Sequence, residues 1–141
     1  MKNGANDNKI ALDVAEAEFK RFTDAMDLDV NTEGMSADEK RDFTVQRDRL
    51  IKAIQSGALT INDNGEPVYT PQRANAEVNA ITFNEPTGAS YLAMDRKKVG
   101  EDMGKLFSTM ADITGTSSGI FSKMKNSDLK VCMAIVTLFL A

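Results

Sequence analysis

The side chains of this sequence that could carry out chemistry are mainly carboxylates, because histidine is absent and the chain has one cysteine, Cys132. Without histidine, Ser-His-Asp and Cys-His nucleophilic sites and histidine-ligated zinc cannot form within one chain. A single cysteine excludes an intrachain disulfide, and its position in an apolar helical run is typical of a small buried side chain. Because carboxylates are plentiful, pairs of aspartate and glutamate are the acid–base candidates considered next.

Two acidic clusters are the candidates for such a pair. Asp38, Glu39 and Asp42 open a predicted helix, where negative charge stabilises the helix dipole, so we expect a solvated capping role. The second cluster lies between Asp27 and Glu33 and has a partial likeness to a calcium loop. It lacks the EF-hand order, in which a central glycine is followed six residues later by glutamate, so no metal site is expected.

Phosphate and nucleic-acid binding have weak signals. Residues 115–119, Gly-Thr-Ser-Ser-Gly, lack the lysine and the strand–loop–helix context of a phosphate loop and are predicted to link two helices. The basic run Arg96, Lys97 and Lys98 has no interleaved aromatic residue, and the net charge is −4. Nucleic-acid binding is therefore not expected. A small regulatory DNA-binding protein that uses these three residues is kept as an alternative, and an enzyme is the least favoured class.

The elements that position these side chains divide the chain into three parts. Residues 1–8 are polar and rich in asparagine, which predicts a disordered arm. Residues 9–56 predict a charged helical arm of two helices, the second of which begins with a capping box formed by Ser36 and Glu39. Residues 57–141 predict an α+β core with an apolar C-terminal helix. The fold class is therefore α+β and mainly helical, and the sequence leaves open whether the arm packs on the core.

A small antiparallel hairpin or meander is predicted at the start of the core. Asn64-Gly65 stands between two β-forming segments, and both residues tolerate the positive φ of a type I′ turn. Pro67 has no amide hydrogen, so its strand should lie at an edge or pair only partly at that point. A third strand is expected within residues 78–83.

Helices are predicted for the rest of the core. Thr87, after Pro86, is expected to cap one helix, and Gly115 to end the next. The second of these helices has an apolar stripe that is expected to lie in the core. The stripe consists of Met103, Leu106, Phe107, Met110 and Ile113.

The last helix, which Ser127 and Asp128 are expected to cap, is apolar over more than one face. A helix of this kind must be buried, either in its own domain or against another chain. The sequence leaves both possibilities open. The residues predicted to bind a partner are Leu129, Cys132, Met133, Val136, Phe139 and Leu140.

Neither end of the sequence predicts a membrane segment. Residues 1–8 lack the apolar core of a signal peptide. The apolar run of residues 131–141 is shorter than the roughly 20 residues that span a bilayer. A cytoplasmic location is expected.

The order of motifs in residues 58–141 carries a family resemblance. A strand and turn, AITFNEPTG, precede a helix, and ADITGTSSGIFSKMKNSDLKVCMAIVTLFLA supplies a glycine-ended segment, a short helix and the closing apolar helix. This order resembles the tail assembly chaperones of long-tailed bacteriophages, particularly the Mu-like group. Residues 83–85 depart from the pattern, because a basic residue often stands there. The matching positions are Thr82, Phe83, Pro86, Thr87, Gly88, Ile113 to Gly115, and Asp128.

The resemblance implies a small protein of the host cytoplasm that is absent from the finished virion. It would bind the tape measure protein and keep it soluble until tail tube subunits polymerise around it. No catalytic or cofactor-binding residue is implied, and the tail tube protein and a second copy of the chain are further candidate partners. The alternative is a phage structural protein that stays in the particle, such as a tail completion or head–tail joining ring subunit.

Overall fold

The computed structural model describes residues 9–73, 79–95 and 102–140. The predicted disordered arm, residues 1–8, and the basic run of residues 96–98 lie outside these ranges. Within them the chain forms six helices and a three-stranded antiparallel sheet, which confirms the mainly helical α+β fold. The elements are α1 (Leu12–Ala25), α2 (Ala37–Ser56), β1 (Leu59–Ile61), β2 (Pro67–Tyr69), β3 (Ile81–Thr82), α3 (Gly88–Asp95), α4 (Asp102–Thr114), α5 (Ser118–Ser122) and α6 (Asn126–Leu140).

Helix α2 begins and ends at the signals that the sequence contains. The Ser36 hydroxyl accepts from the Glu39 amide at 3.1 Å, and the Glu39 carboxylate accepts from the Ser36 amide at 2.9 Å. This reciprocal capping box satisfies two amides that the helix itself leaves unpaired. At the other end Gly57 has a φ of 87° and its amide donates to the Ile54 carbonyl at 3.0 Å. Such a left-handed residue stops a helix, and glycine adopts it without steric cost.

The sheet has the order β1-β2-β3, so β2 is its central strand. Leu59 pairs with Tyr69, which in turn pairs with Ile81. Pro67 is the first residue of β2, and its carbonyl accepts from the Phe83 amide at 2.8 Å. The prediction of an edge strand is therefore wrong. The alternative of partial pairing is what the structure shows, because a proline at the first position of a strand removes only one ladder bond.

The hairpin turn differs from the predicted type I′ geometry. The Asn62 carbonyl accepts from the Gly65 amide at 2.9 Å, and the Asn62 amide donates to the Glu66 carbonyl at 2.9 Å. Gly65 has a φ of 82°, whereas Asn64 does not have a positive φ. This pattern is a type I turn closed by a left-handed glycine, in a loop of three residues rather than two. The side chain of Asn62 selects it, because its oxygen accepts from the amides of Asn64 and Glu66 at 3.0 and 2.9 Å.

Gly65 is also where the hairpin touches α1, so replacing it with alanine is expected to destabilise the protein. A Cβ at this position would overlap the Cβ of Ala25. We expect Gly65→Ala to lower the free energy of unfolding by roughly 2 kcal/mol or more, from left-handed strain and overpacking together. Urea denaturation followed by circular dichroism measures the change.

The matched control is Gly88→Ala, because a Cβ at Gly88 meets nothing within 4 Å. This variant should unfold near the wild-type urea concentration. Equal midpoints for Gly65→Ala and wild type would show that the turn does not pack against α1 as described.

The predicted helical arm packs on the rest of the protein. One hydrophobic cluster of the described residues includes buried side chains from α1, α2, the sheet, α4, α5 and α6. The rings of Phe22 and Phe139 meet edge to face with centroids 5.6 Å apart, which joins α1 to α6. The Arg21 guanidinium donates to the carbonyls of Ile61 and Asn62, which joins α1 to the hairpin. The question that the sequence left open is thereby answered.

No helix in the described ranges combines the length and apolar character needed to cross a membrane. Helix α6 is largely apolar, but its 15 residues extend only about 22 Å, against about 30 Å of bilayer hydrocarbon.

Candidate functional site

Helix α6 is largely buried within the protein's own fold. Three of the residues predicted to bind a partner lie in the core: Cys132, Val136 and Phe139. The other three are partly buried: Leu129, Met133 and Leu140. The burial that such an apolar helix requires is supplied mainly by this chain, with α2 packed along α6 and Phe22 of α1 against Phe139. Only the three partly buried residues offer surface to another molecule, and their contact with one stays a prediction.

Asp128 joins the first turn of α6 to β2 and the segment after it. Asp128 is 1% exposed. One oxygen accepts from the Tyr69 hydroxyl at 2.6 Å and from the backbone amide of Gln72 at 2.7 Å. The other oxygen accepts from the backbone amide of Arg73 at 2.8 Å. Burying a carboxylate is unfavourable unless hydrogen bonds replace its hydration, and these three bonds do so. We call this arrangement the Asp128 latch.

The latch differs from the predicted cap of α6. The helix begins at Asn126, one residue before Ser127, and the Leu129 amide donates to the Lys125 carbonyl at 2.9 Å. Asp128 therefore lies inside the first turn. The three hydrogen bonds of its carboxylate go to residues more than 50 positions earlier in the chain, so its role is to fix the helix against the sheet.

The two titratable groups beside the latch are held in their neutral forms. Burial raises the pKa of the Tyr69 phenol far above its ordinary value, and the hydrogen bond to Asp128 adds to the effect. Burial also raises the pKa of the Cys132 thiol, and the negative charge of Asp128 acts in the same direction. A protonated, buried thiol is a poor nucleophile and a poor metal ligand. Cys132 packs 3.7 Å from the sulfur of Met124 and serves as core.

The segment of residues 83–87, between β3 and α3, is bonded to the end of α4. The backbone and side-chain amides of Asn84 both donate to the Ile113 carbonyl, at 3.1 and 2.9 Å. Gly115, with a φ of 66°, ends α4 as predicted. The segments that contain Asn84 and Gly115 are thus brought together by hydrogen bonds to the last turn of α4.

Thr87 caps α3, as the sequence predicts. Its hydroxyl accepts from the Ala89 amide at 3.2 Å, while its own amide donates to the Ser90 hydroxyl at 3.1 Å. The buried Ser90 hydroxyl donates in turn to the Asp112 carboxylate at 2.7 Å. Gly88 is the first residue of the helix. The bond between Ser90 and Asp112 joins α3 to α4.

Large apolar side chains are exposed on this helix pair. Tyr91 and Leu92 on α3 are 50% and 60% exposed, and Met103 on α4 is 50% exposed. We call these three residues the α3–α4 face. The prediction that Met103 lies in the core is wrong. In the α4 stripe only Met110 and Ile113 are buried, and they lie near the end of the helix that residues 83–87 contact. Leu106 and Phe107 are partly buried.

A cleft of about 340 Å³ lies between the α1–α2 loop, the first half of α2 and the end of α6. We call it the α2–α6 cleft. The sequence did not reveal it, because its lining comes from three separate segments; the acidic cluster at the start of α2 was the available signal. Its apolar lining residues are Leu28, Val30, Met35, Phe43 and Leu138, and its polar ones are Asp29, Glu39, Asp42, Gln46 and Thr137.

The remaining candidates from the sequence are the acidic loop between Asp27 and Glu33 and the basic run of residues 96–98. The Asp29 carboxylate accepts from the Asn31 amide at 2.9 Å, and the Asn31 side chain accepts from the Glu33 amide at 3.0 Å, so this loop uses its oxygens for local turns. Among the residues that the structure describes, no cluster of three or more Cys, Asp or Glu could hold a metal ion. The proposed DNA-binding residues Arg96, Lys97 and Lys98 lie outside the described ranges.

Comparisons with models of protein families, with curated proteins and with solved structures found no match to this chain. The resemblance of residues 58–141 to tail assembly chaperones therefore rests on the motifs alone.

Proposed function

We propose that this chain is a phage tail assembly chaperone of the host cytoplasm, which binds the tape measure protein and keeps it soluble during tail morphogenesis. The observation that carries the proposal is the α3–α4 face, with Tyr91, Leu92 and Met103 all 50% exposed or more. Surfaces that bind other proteins are typically rich in large apolar side chains that are exposed in the free protein. This face lies within residues 58–141, the part of the chain that carries the resemblance.

The mode of binding that fits this face is helix against helix. An amphipathic helix of the tape measure protein would lay its apolar side on Tyr91, Leu92 and Met103, which removes apolar surface of both partners from water. Methionine is well suited to such a surface, since its unbranched side chain adapts to different neighbours. The cap at Thr87 and the Ser90–Asp112 bond position α3 against α4, so this part of the binding surface is already formed before a partner binds.

The net charge of −4 supports the proposed role of keeping the tape measure protein soluble. A chaperone must keep an aggregation-prone client in solution, and excess negative charge on the complex disfavours self-association. The protein would dissociate as the tail tube forms, which is why it is expected to be absent from finished particles.

Replacing Leu92 with aspartate is expected to weaken tape measure binding about tenfold or more. Burial of a leucine contributes about 1.5–3 kcal/mol, and the new carboxylate would lose hydration in the interface. The measurement is co-expression of the chain with the tape measure protein of the same phage. The amount of soluble tape measure protein that co-purifies with wild type and variant is compared at equal expression.

The matched control is Leu12→Asp on α1, because Leu12 is 53% exposed and lies outside the resemblance. It should retain wild-type rescue. Removing residues 127–141 is not a usable test, since it takes away helix α6 and with it part of the core.

The outcomes separate the site from the function. Rescue by wild type and equally by Leu92→Asp would keep the chaperone and reject the α3–α4 face as its site. No rescue by wild type would reject the chaperone. Mass spectrometry of purified particles then tests the alternative, because a ring-forming structural protein stays in the virion.

A further inference from the structure

The α2–α6 cleft is a second candidate binding site, separate from the α3–α4 face. It is built from the loop after α1, the first half of α2 and the end of α6, and it shares no residue with that face. Its volume of about 340 Å³ lies in the range of clefts that bind ligands in proteins. An inference about this cleft therefore goes beyond the proposed chaperone site.

The charged side chains among the described residues of the cleft lining are all acidic: Asp29, Glu39 and Asp42. On α2, Glu39, Asp42, Phe43 and Gln46 follow the spacing i, i+3, i+4, i+7, which places them on one face of the helix. A continuous acidic and apolar surface results.

Two basic residues, Lys40 and Arg41, stand between Glu39 and Asp42 in the sequence, and neither lines the cleft. The Arg41 guanidinium is 3.0 Å from the carboxylate of Asp38, which is not part of the cleft lining. The hydrogen bonds from Ser36 lower the pKa of Glu39, so this carboxylate is ionised at neutral pH. The cleft thus offers an apolar lining with a negative rim.

We propose that the α2–α6 cleft binds a basic amphipathic segment of a partner protein, with one large apolar side chain in the cleft and Lys or Arg residues facing its rim. The apolar anchor matches Leu28, Phe43 and Leu138, and the basic residues match Asp29 and Asp42. Complementary charge speeds encounter and rejects acidic segments, while the apolar contact supplies the affinity. Helix-in-groove binding of this kind needs one apolar stripe and one charged flank.

The experiment titrates the full-length protein against fluorescent peptides of defined composition and follows anisotropy. One peptide is an amphipathic helix of leucine and lysine, and the second has glutamate at every lysine position. We expect the leucine–lysine peptide to bind and the leucine–glutamate peptide not to bind. Asp42→Lys should weaken binding about tenfold or more, because a like charge then faces the peptide.

Two further variants place the peptide in the cleft. Glu85→Lys makes the same change in net charge on an exposed residue outside the cleft and should bind as wild type. Leu92→Asp changes the α3–α4 face and should also bind as wild type, which separates this proposal from the chaperone site. Circular dichroism confirms that each variant is folded.

The proposal is overturned by any of four results. These are an equal loss of affinity in Asp42→Lys and Glu85→Lys, a loss in Leu92→Asp alone, equal binding of both peptides, or no binding of the leucine–lysine peptide at low salt. An equal loss of affinity in Asp42→Lys and Glu85→Lys would mean that the overall negative charge of the protein, and not the cleft, attracts the peptide.

Discussion

Replacing Asp128 with alanine is expected to lower the free energy of unfolding by about 3–5 kcal/mol, because three buried or partly buried donors lose their common acceptor. The donors are the Tyr69 hydroxyl and the amides of Gln72 and Arg73, at 2.6, 2.7 and 2.8 Å. A stability of about 5–15 kcal/mol is usual for a domain, so this loss would remove a large part of it. Urea denaturation followed by circular dichroism at neutral pH measures the loss.

Two variants show whether the hydrogen bonds, rather than the volume of the side chain, carry this effect. Asp128→Asn keeps the shape but turns one acceptor into a donor, and should cost about 1–3 kcal/mol. Tyr69→Phe removes one donor together with its need for an acceptor. The double variant Asp128→Ala with Tyr69→Phe should then lose less than the sum of the single losses, because the two residues share a bond.

The control for a change of charge alone is Asp48→Asn. Asp48 is 65% exposed and 3.3 Å from Arg47, and exposed ion pairs of this kind contribute about 0–1 kcal/mol. If Asp128→Ala unfolds at the same urea concentration as Asp48→Asn, the three donors find other partners and the Asp128 latch does not hold α6 in place.

Local features of the fold could be predicted from the sequence, because they depend on residues a few positions apart. The capping box of Ser36 and Glu39, the end of α4 at Gly115 and the capping of α3 by Thr87 all have this character. In each case one side chain or one glycine satisfies backbone groups of its own turn.

Long-range features could not be predicted in the same way. Asp128 is 59 positions from Tyr69, and a carboxylate in a first helical turn has an ordinary explanation in the helix dipole. The central position of β2 likewise depends on the return of β3 beside it. The hairpin at Asn64-Gly65 was predicted, but its turn type was not, because Asn62, outside the Asn-Gly pair, selects a different turn with its side chain.

The candidate sites were only partly predictable for the same physical reason. The apolar pattern of α6 correctly predicted that the helix is buried. It could not predict which residues pack against the helix. The residues that do so, such as Phe22, lie in a segment that reads as a charged arm. The acidic rim of the α2–α6 cleft was visible as a cluster at the start of α2, whereas the Leu138 that lines it comes from the far end of the chain.

Replacing Phe22 with alanine is expected to lower the free energy of unfolding by about 3–5 kcal/mol, the cost of removing a buried aromatic ring and leaving a cavity. Phe22 is 1% exposed, and its ring meets Phe19 at 6.2 Å and Phe139 at 5.6 Å between centroids. Because Phe139 belongs to α6, the loss should reach the other end of the chain. Hydrogen exchange should therefore accelerate at the amides of α6 as well as those of α1.

The control for Phe22→Ala is Leu12→Ala on the same helix. Leu12 is 53% exposed, so its truncation should change the free energy of unfolding by no more than about 0.5 kcal/mol. If Phe22→Ala loosens α1 while α6 keeps wild-type protection, α1 unfolds separately from α6. Equal loss of protection in both helices means that α1 and α6 unfold as one unit. The chain then cannot release its N-terminal helices to uncover α6, and binding of partners must use the faces already exposed.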